Sequence, residues 1–218
     1  MKKKILFAIG AVCLFFASIQ VQSQTKLTSG LKIAANRSNY IFRDLEYIKC
    51  SMGTGLSVGG LMNIGITECF SIQSELTLNY KVSEIGNIQS DVFVDYEYFS
   101  AELPVYAMLK KKLGQNEVFV GLGPYAGVGF SAKVVDFNLY DDEIIKPLDF
   151  GFIGTIGWGW GFGLQLYAGY QSGIINLIDV TDSDQKMKSQ SFFVGVAYQF
   201  NRKKVASEEK IIFLKDAI

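Results

Sequence analysis

Apolar and polar residues alternate with a period of two along most of this chain. The clearest run is Phe70–Lys81. There Phe70, Ile72, Leu76, Leu78 and Tyr80 share one face, and Ser71, Gln73, Glu75, Thr77, Asn79 and Lys81 share the other, with only Ser74 off-type. Side chains of a strand point alternately to its two sides, so this run predicts a strand with one apolar and one polar face. Phe99–Lys110, Val118–Ser131, Phe162–Gln171 and Ser191–Phe200 carry the same pattern. Weaker forms cover about Gly30–Asn36, Gly55–Ile64 and Asp149–Trp158, which brings the expected total to eight strands. The connections alternate too. Asn36–Gly53, Val82–Tyr98, Ala132–Leu148 and Ser172–Ser189 are long, whereas Gly65–Glu68, Lys111–Glu117 and Gly157–Gly161 are short. Long loops at one end and short turns at the other suit an up-and-down barrel with both termini at the short-turn end.

Alternation does not say which face is inside. A soluble, lipocalin-like carrier turns its apolar face inward; an outer-membrane barrel turns it outward. The polar face separates the two. It holds mostly Gly, Ser, Thr, Asn, Gln and Tyr, whereas a water-facing surface is rich in Lys, Arg, Glu and Asp. Small residues and neutral hydrogen-bonding groups suit the narrow lumen of an eight-stranded barrel. The apolar faces carry no charge through the strand middles, where one Arg or Lys in lipid would cost about 2–4 kcal/mol. Aromatic residues gather near the strand ends. Phe70, Trp158, Trp160, Phe162, Tyr198 and Phe200 fall near the short turns, and Tyr80, Phe99, Phe130, Phe152, Tyr170 and Phe192 near the long loops. These sets read as aromatic girdles at the two headgroup regions. The expected fold is all-β: an eight-stranded antiparallel up-and-down transmembrane β-barrel, closed so that every backbone group finds a partner in lipid.

Composition narrows the chemistry. The 218 residues are 49% hydrophobic and 19% charged, against about 25% charged in an average soluble domain. A lipid-facing belt spread over alternate residues accounts for that excess. Lys2–Lys4, an apolar run from Ile5 to Ile19 and then Gln20–Gln24 form the three parts of a secretory signal peptide. Cleavage after Ser23 divides the chain into a leader (1–23), a barrel (24–200) and a periplasmic C-terminal tail (201–218). The leader removes three lysines, so 18 basic residues remain against 21 acidic ones, a net charge of −3. That offers no footprint for nucleic acid. The chain has no His, which removes the commonest general base and the commonest metal ligand. Ser-His-Asp hydrolysis and His-bound zinc are excluded with it. Gly121-Leu122-Gly123 and Gly157–Gly161 open no predicted helix, so they make no phosphate loop, and no cofactor is expected.

Five segments carry a family resemblance: "GLKIAANRSNY", "YFSAELPVYAMLKKKLG", "VFVGLGPYAGVGFSAK", "LDFGFIGTIGWGWGF" and "SFFVGVAYQF". Over about Gly30 to Phe200 the chain resembles the small outer-membrane β-barrel proteins of the PorT type, common in Gram-negative bacteria of the Bacteroidetes group. The resemblance implies an integral barrel in the lipid of the outer membrane. For one branch it implies accessory work in a secretion system, with a secretion-system or periplasmic protein as partner. The closing stretch Phe192–Phe200 resembles the last-strand signal read by the outer-membrane insertion machinery. That signal usually ends a chain, whereas here residues 201–218 follow it.

Candidate functional residues are few. Glu75 and Glu102 point inward on neighbouring strands, with Lys32, Lys81 and Lys110 facing the same lumen. Buried charges must be paired, so an interior polar network is expected rather than a carboxylate pair doing acid–base chemistry. Cys50 in the first long loop and Cys69 beside the first short turn stand at opposite ends of a strand, too far apart for a disulfide. Asp91, Asp95 and Glu97, then Asp136, Asp141, Asp142 and Glu143, then Asp179, Asp182 and Asp184 make the long loops acidic. They lack EF-hand spacing and read as solvated loops rather than Ca²⁺ sites. Lys110–Lys112 and Arg202–Lys204 form a basic inner rim, and the tail has an apolar patch at Ile211–Leu214 that suits docking on a periplasmic partner or plugging the barrel mouth, and equally reads as a frayed end. The functional expectation is a non-enzymatic structural, binding or secretion-accessory barrel. The alternatives are a narrow pore or small-ligand-binding barrel, and a soluble secreted carrier.

Overall fold

The computed structural model describes residues 26–43, 48–87, 92–134, 137–138, 145–178 and 186–200. Eight long strands run antiparallel: β1 (Lys26–Arg43), β2 (Ile48–Gly65), β3 (Phe70–Asn87), β4 (Val92–Leu113), β5 (Asn116–Val134), β6 (Leu148–Gly159), β7 (Leu164–Gly173) and β8 (Lys186–Gln199). A two-residue piece, Phe137–Asn138, folds back onto the end of β5. Each long strand pairs with the next, and β1 pairs with β8, so the sheet closes on itself. Closure leaves no open edge, as a wall in lipid requires.

The register sets the shape. Paired residues lead from Leu27 through Ile64, Ile72, Ala107, Leu122, Gly154, Tyr170 and Phe192 back to β1 at Arg37, ten residues further on. This stagger belongs to a barrel whose strands tilt by about 35–45°. The apolar positions face outward: Leu31, Leu122 and Ile156 are 61–64% exposed. The polar positions face inward: Gln73, Glu75, Thr77, Asn79 and Lys81 are all buried. This is the lipid-facing arrangement and not that of a soluble carrier.

The short turns are tight. Gly114 and Gln115 alone link β4 to β5, and Gly114 has φ +65°, a left-handed conformation that glycine adopts without a Cβ clash. Gly163, at φ +103°, plays the same part before β7.

The strands run further toward the long-loop end than the sequence pattern predicts. The expected loop Asn36–Gly53 shrinks to residues 44–47, and Cys50 lies on β2 opposite Ile85. Asp95 and Glu97 likewise sit on β4 rather than in a loop. The cause is a reversal of sign. On β1 the outward series Ile33, Ala35 passes to Arg37, while the inward series Asn36, Ser38 passes to Tyr40. On β4 the outward Phe99 gives way to Glu97 and Asp95, and the inward Ser100 to Tyr98 and Tyr96. Alternation continues, but charged residues now face out and apolar ones face in. Register shifts at Met52/Leu56 and at Phe99/Ser100 mark this border; a bulge inserts one residue and so exchanges the two faces of the strand that carries it. Beyond it the strand ends form a collar with its own apolar core of Tyr40, Tyr96, Tyr98, Ala132, Ile145, Leu177 and Met187.

Candidate functional site

The lumen of the belt holds the charged residues. Lys32 Nζ donates to Glu75 Oε2 at 2.6 Å, and Lys81 Nζ donates to Glu102 Oε1 at 2.6 Å. These four side chains are only 5–7% exposed. The carboxylates thus belong to two separate pairs. Lys110 joins neither directly; its Nζ donates to Asn63 Oδ1 at 3.0 Å. Asn63 Nδ2 then donates to Gln73 Oε1 at 3.1 Å, and Gln73 Nε2 to Glu75 Oε1 at 2.8 Å. A relay of side chains therefore runs from the inner rim to Glu75. Asn63 and Gln73 carry it, although in the sequence they are ordinary polar positions. Lys32 also lies 4.5 Å from the ring centre of Tyr167 and 5.8 Å from that of Phe193, close enough for cation–π attraction. A cavity of about 30 Å³ is lined by both ion pairs together with Tyr106, Ile153, Gln171 and Phe193. It has room for about one or two waters.

Two interior features have no counterpart among the sequence-based candidates. Asp149 is buried on β6. Its Oδ2 accepts from Tyr125 OH at 3.0 Å and from Ser189 Oγ at 2.6 Å. The second feature is a set of large side chains lying against glycines. Met108, Phe119, Tyr125, Tyr167 and Phe193 stand directly across the ladder from Gly121, Gly157, Gly151, Gly195 and Gly169. A Cβ on Gly157 would collide with the Phe119 ring, so the glycine opens the space that the ring fills. Only the register reveals these partners, because each pair joins two different strands.

The aromatic residues expected at the two headgroup levels face the outside or the rims. At the loop end Tyr80 stands opposite Phe99, and Phe99 packs on Phe130 with ring centres 5.7 Å apart. Tyr170 packs on Phe192 at 4.7 Å, and Phe152 is exposed beside Phe150, which the sequence pattern passed over. At the short-turn end Trp160 packs on Phe162 at 6.3 Å and Tyr198 on Phe200 at 5.6 Å. Phe70 and Trp158 are half-buried there. Cys50 and Cys69 are both free. Lys111 and Lys112 are exposed on the inner rim. The acidic residues Asp91, Asp136, Asp141, Asp142, Glu143, Asp179, Asp182 and Asp184, the cations Arg202–Lys204, the leader and the tail lie outside the described residues.

Chemically, the arrangement is a packed polar interior. Among the described residues no three His, Cys, Asp or Glu side chains converge as a metal-ligand set. The model of the outer membrane protein beta-barrel domain matches residues 9–200. No curated protein sequence matches the chain. Among solved structures, the outer membrane protein OprG from Pseudomonas aeruginosa aligns with a TM-score of 0.56 at 11% identity, over 84% of this chain and 99% of that one. Neisserial surface protein A aligns at 0.47 and 13% identity, over 80% of this chain and 99% of that one. At such identity the OprG likeness speaks for the fold alone. The inverted polarity, the closed wall and the match over most of its length place this chain in the outer membrane protein beta-barrel domain family.

Proposed function

We propose that this protein is a non-enzymatic outer-membrane barrel with a closed lumen, working through its surfaces as a structural, binding or secretion-accessory component. The observation that supports this is the collar core. Tyr40 meets Tyr96 edge-on with ring centres 5.0 Å apart, and Tyr96 stacks on Tyr98 at 6.4 Å. With Leu177 and Met187, all buried, they fill the barrel beyond the polar layers. An ion crossing the barrel would have to displace this apolar core and then pass two ion pairs. In planar bilayers the purified protein is expected to give no sustained conductance; steady nanosiemens-scale openings would instead favour the narrow pore.

The absence of His supports the non-enzymatic reading. Cleavage of lipid or peptide by the folded barrel would overturn it. We read residues 1–23 as a removed leader, so the mature N-terminus should be Gln24 by terminal sequencing. Residues 201–218 are read as a periplasmic tail, and the five segments quoted above favour a PorT-type accessory role. Crosslinked pull-down from native outer membrane, with and without the tail, tests that role: a periplasmic or secretion-system protein should be captured only when the tail is present.

A further inference from the structure

Charge is spread unevenly over the outer surface of the collar, with Lys133 of β5 standing across the ladder from Glu97. Outward positions on β3 and β4 hold Glu84, Asp95 and Glu97, whereas those on β1 and β8 hold Arg37, Lys186 and Lys188. The orientation of the three cations is set by their neighbours: Ser38, Met187 and Ser189 are buried, so the residues beside them face out. The cations begin where the lipid-facing aromatics end. Arg37 is the cross-strand partner of Phe192, which packs on Tyr170. The Tyr170 hydroxyl donates to Gln190 Oε1 at 2.9 Å, one position below Lys188 on the same outward column. Arg37 Nη2 donates to the Met52 carbonyl at 3.1 Å. Among the described residues none of the three cations forms an ion pair; the pairs present are Lys32–Glu75, Lys81–Glu102 and Lys112–Glu68.

Unpaired cations just outside an apolar belt stand at the level of lipid phosphates, and basic residues there bind anionic headgroups. The guanidinium fork of Arg37 also matches phosphate oxygens in pairs. We infer that Arg37, Lys186 and Lys188 form a docking site for the phosphate groups of an outer-leaflet glycolipid. Lys188 pairs with Ile41 and Lys186 with Arg43, four and six residues beyond Arg37, so the two lysines lie about 13 Å and about 20 Å along the strand from Arg37. That spacing suits a headgroup with two phosphates set apart. The site also bridges β1 and β8, the first and last strands, so a bound headgroup ties together the seam that closes the barrel. The acids of β3 and β4 repel the same headgroup and give the barrel a preferred side.

The test uses the full chain in nanodiscs of phosphatidylcholine doped with a glycolipid bearing two phosphates, one phosphate or none, with retained lipid counted by native mass spectrometry. Retention is expected to fall from two phosphates to none, and to fall as salt rises. At about fivefold per cation, the Arg37→Gln/Lys186→Gln/Lys188→Gln variant should lose on the order of a hundredfold. Lys111→Gln/Lys112→Gln, at the opposite rim, should lose nothing. Equal retention of the phosphate-free lipid would overturn the site, as would salt-independent retention by the unaltered protein. So would a folded triple variant that keeps its lipid, or one that loses an oligomer instead, which would assign the patch to a second copy of the chain.

Discussion

Lys32 shows how a charge is kept inside this barrel. Its ammonium meets Glu75 at 2.6 Å and lies over the Tyr167 ring, so the cost of desolvation is offset by a close counter-ion and a ring face. Removing one partner leaves the other buried and unpaired. Glu75→Gln is therefore expected to destabilise the barrel by about 3–5 kcal/mol, read by denaturant unfolding in detergent. The double change Lys32→Met/Glu75→Leu should cost less than the single one. Cys50 is a second case, in the collar and outside the belt. Burial pushes its thiol up, opposed by the backbone N–H of Tyr40 and by Ser83. A raised thiol holds less thiolate at a given pH, and the thiolate is the nucleophile. Alkylation of Cys50 should trail that of the exposed Cys69 near neutral pH and recover as pH rises through the raised value, as mass spectrometry would show.

At the scale of the strand, one rule of alternation serves two solvents. In the belt the outward positions meet lipid tails; in the collar they meet headgroups and water. The same backbone carries both because the residue types change while the period of two persists. Leu122→Arg, on the outward face of β5, should cost about 2–4 kcal/mol at the midplane and reduce the yield of heat-modifiable, folded protein. The outward collar position of the same strand carries Lys133, which is exposed, so Lys133→Arg should not carry this lipid cost. The sequence pattern read strand identity and facing well because both are local. It ended strands such as β1 and β4 too early, since a search for apolar residues on one fixed face takes a reversal of sign for the end of the strand.

For the whole molecule, the reversal produces two cores in one wall. The belt is held by lipid outside and by ion pairs and aromatic–glycine packing inside. The collar is held by an apolar core of its own. These should open separately, since regions with distinct cores unfold as distinct units. Tyr96→Ala is expected to lower hydrogen-exchange protection of collar amides, including those of β1 near Tyr40, while belt amides keep theirs. Loss of protection throughout would show a single cooperative unit instead.

The sequence alone determined that the chain forms amphipathic strands, that their apolar faces suit lipid, and that Lys32, Glu75, Lys81, Glu102 and Lys110 point into the lumen. Each follows from residue type and from a period of two, which are properties of neighbours along the chain. Only the tertiary structure decided who pairs with whom. Lys32 and Glu75 are 43 positions apart, and their meeting depends on the stagger of a closed wall. The same stagger routes Lys110 through Asn63 and Gln73, sets Phe119 over Gly157, and brings Arg37 beside β8. Register is a relation between distant strands, and no single stretch of sequence contains it.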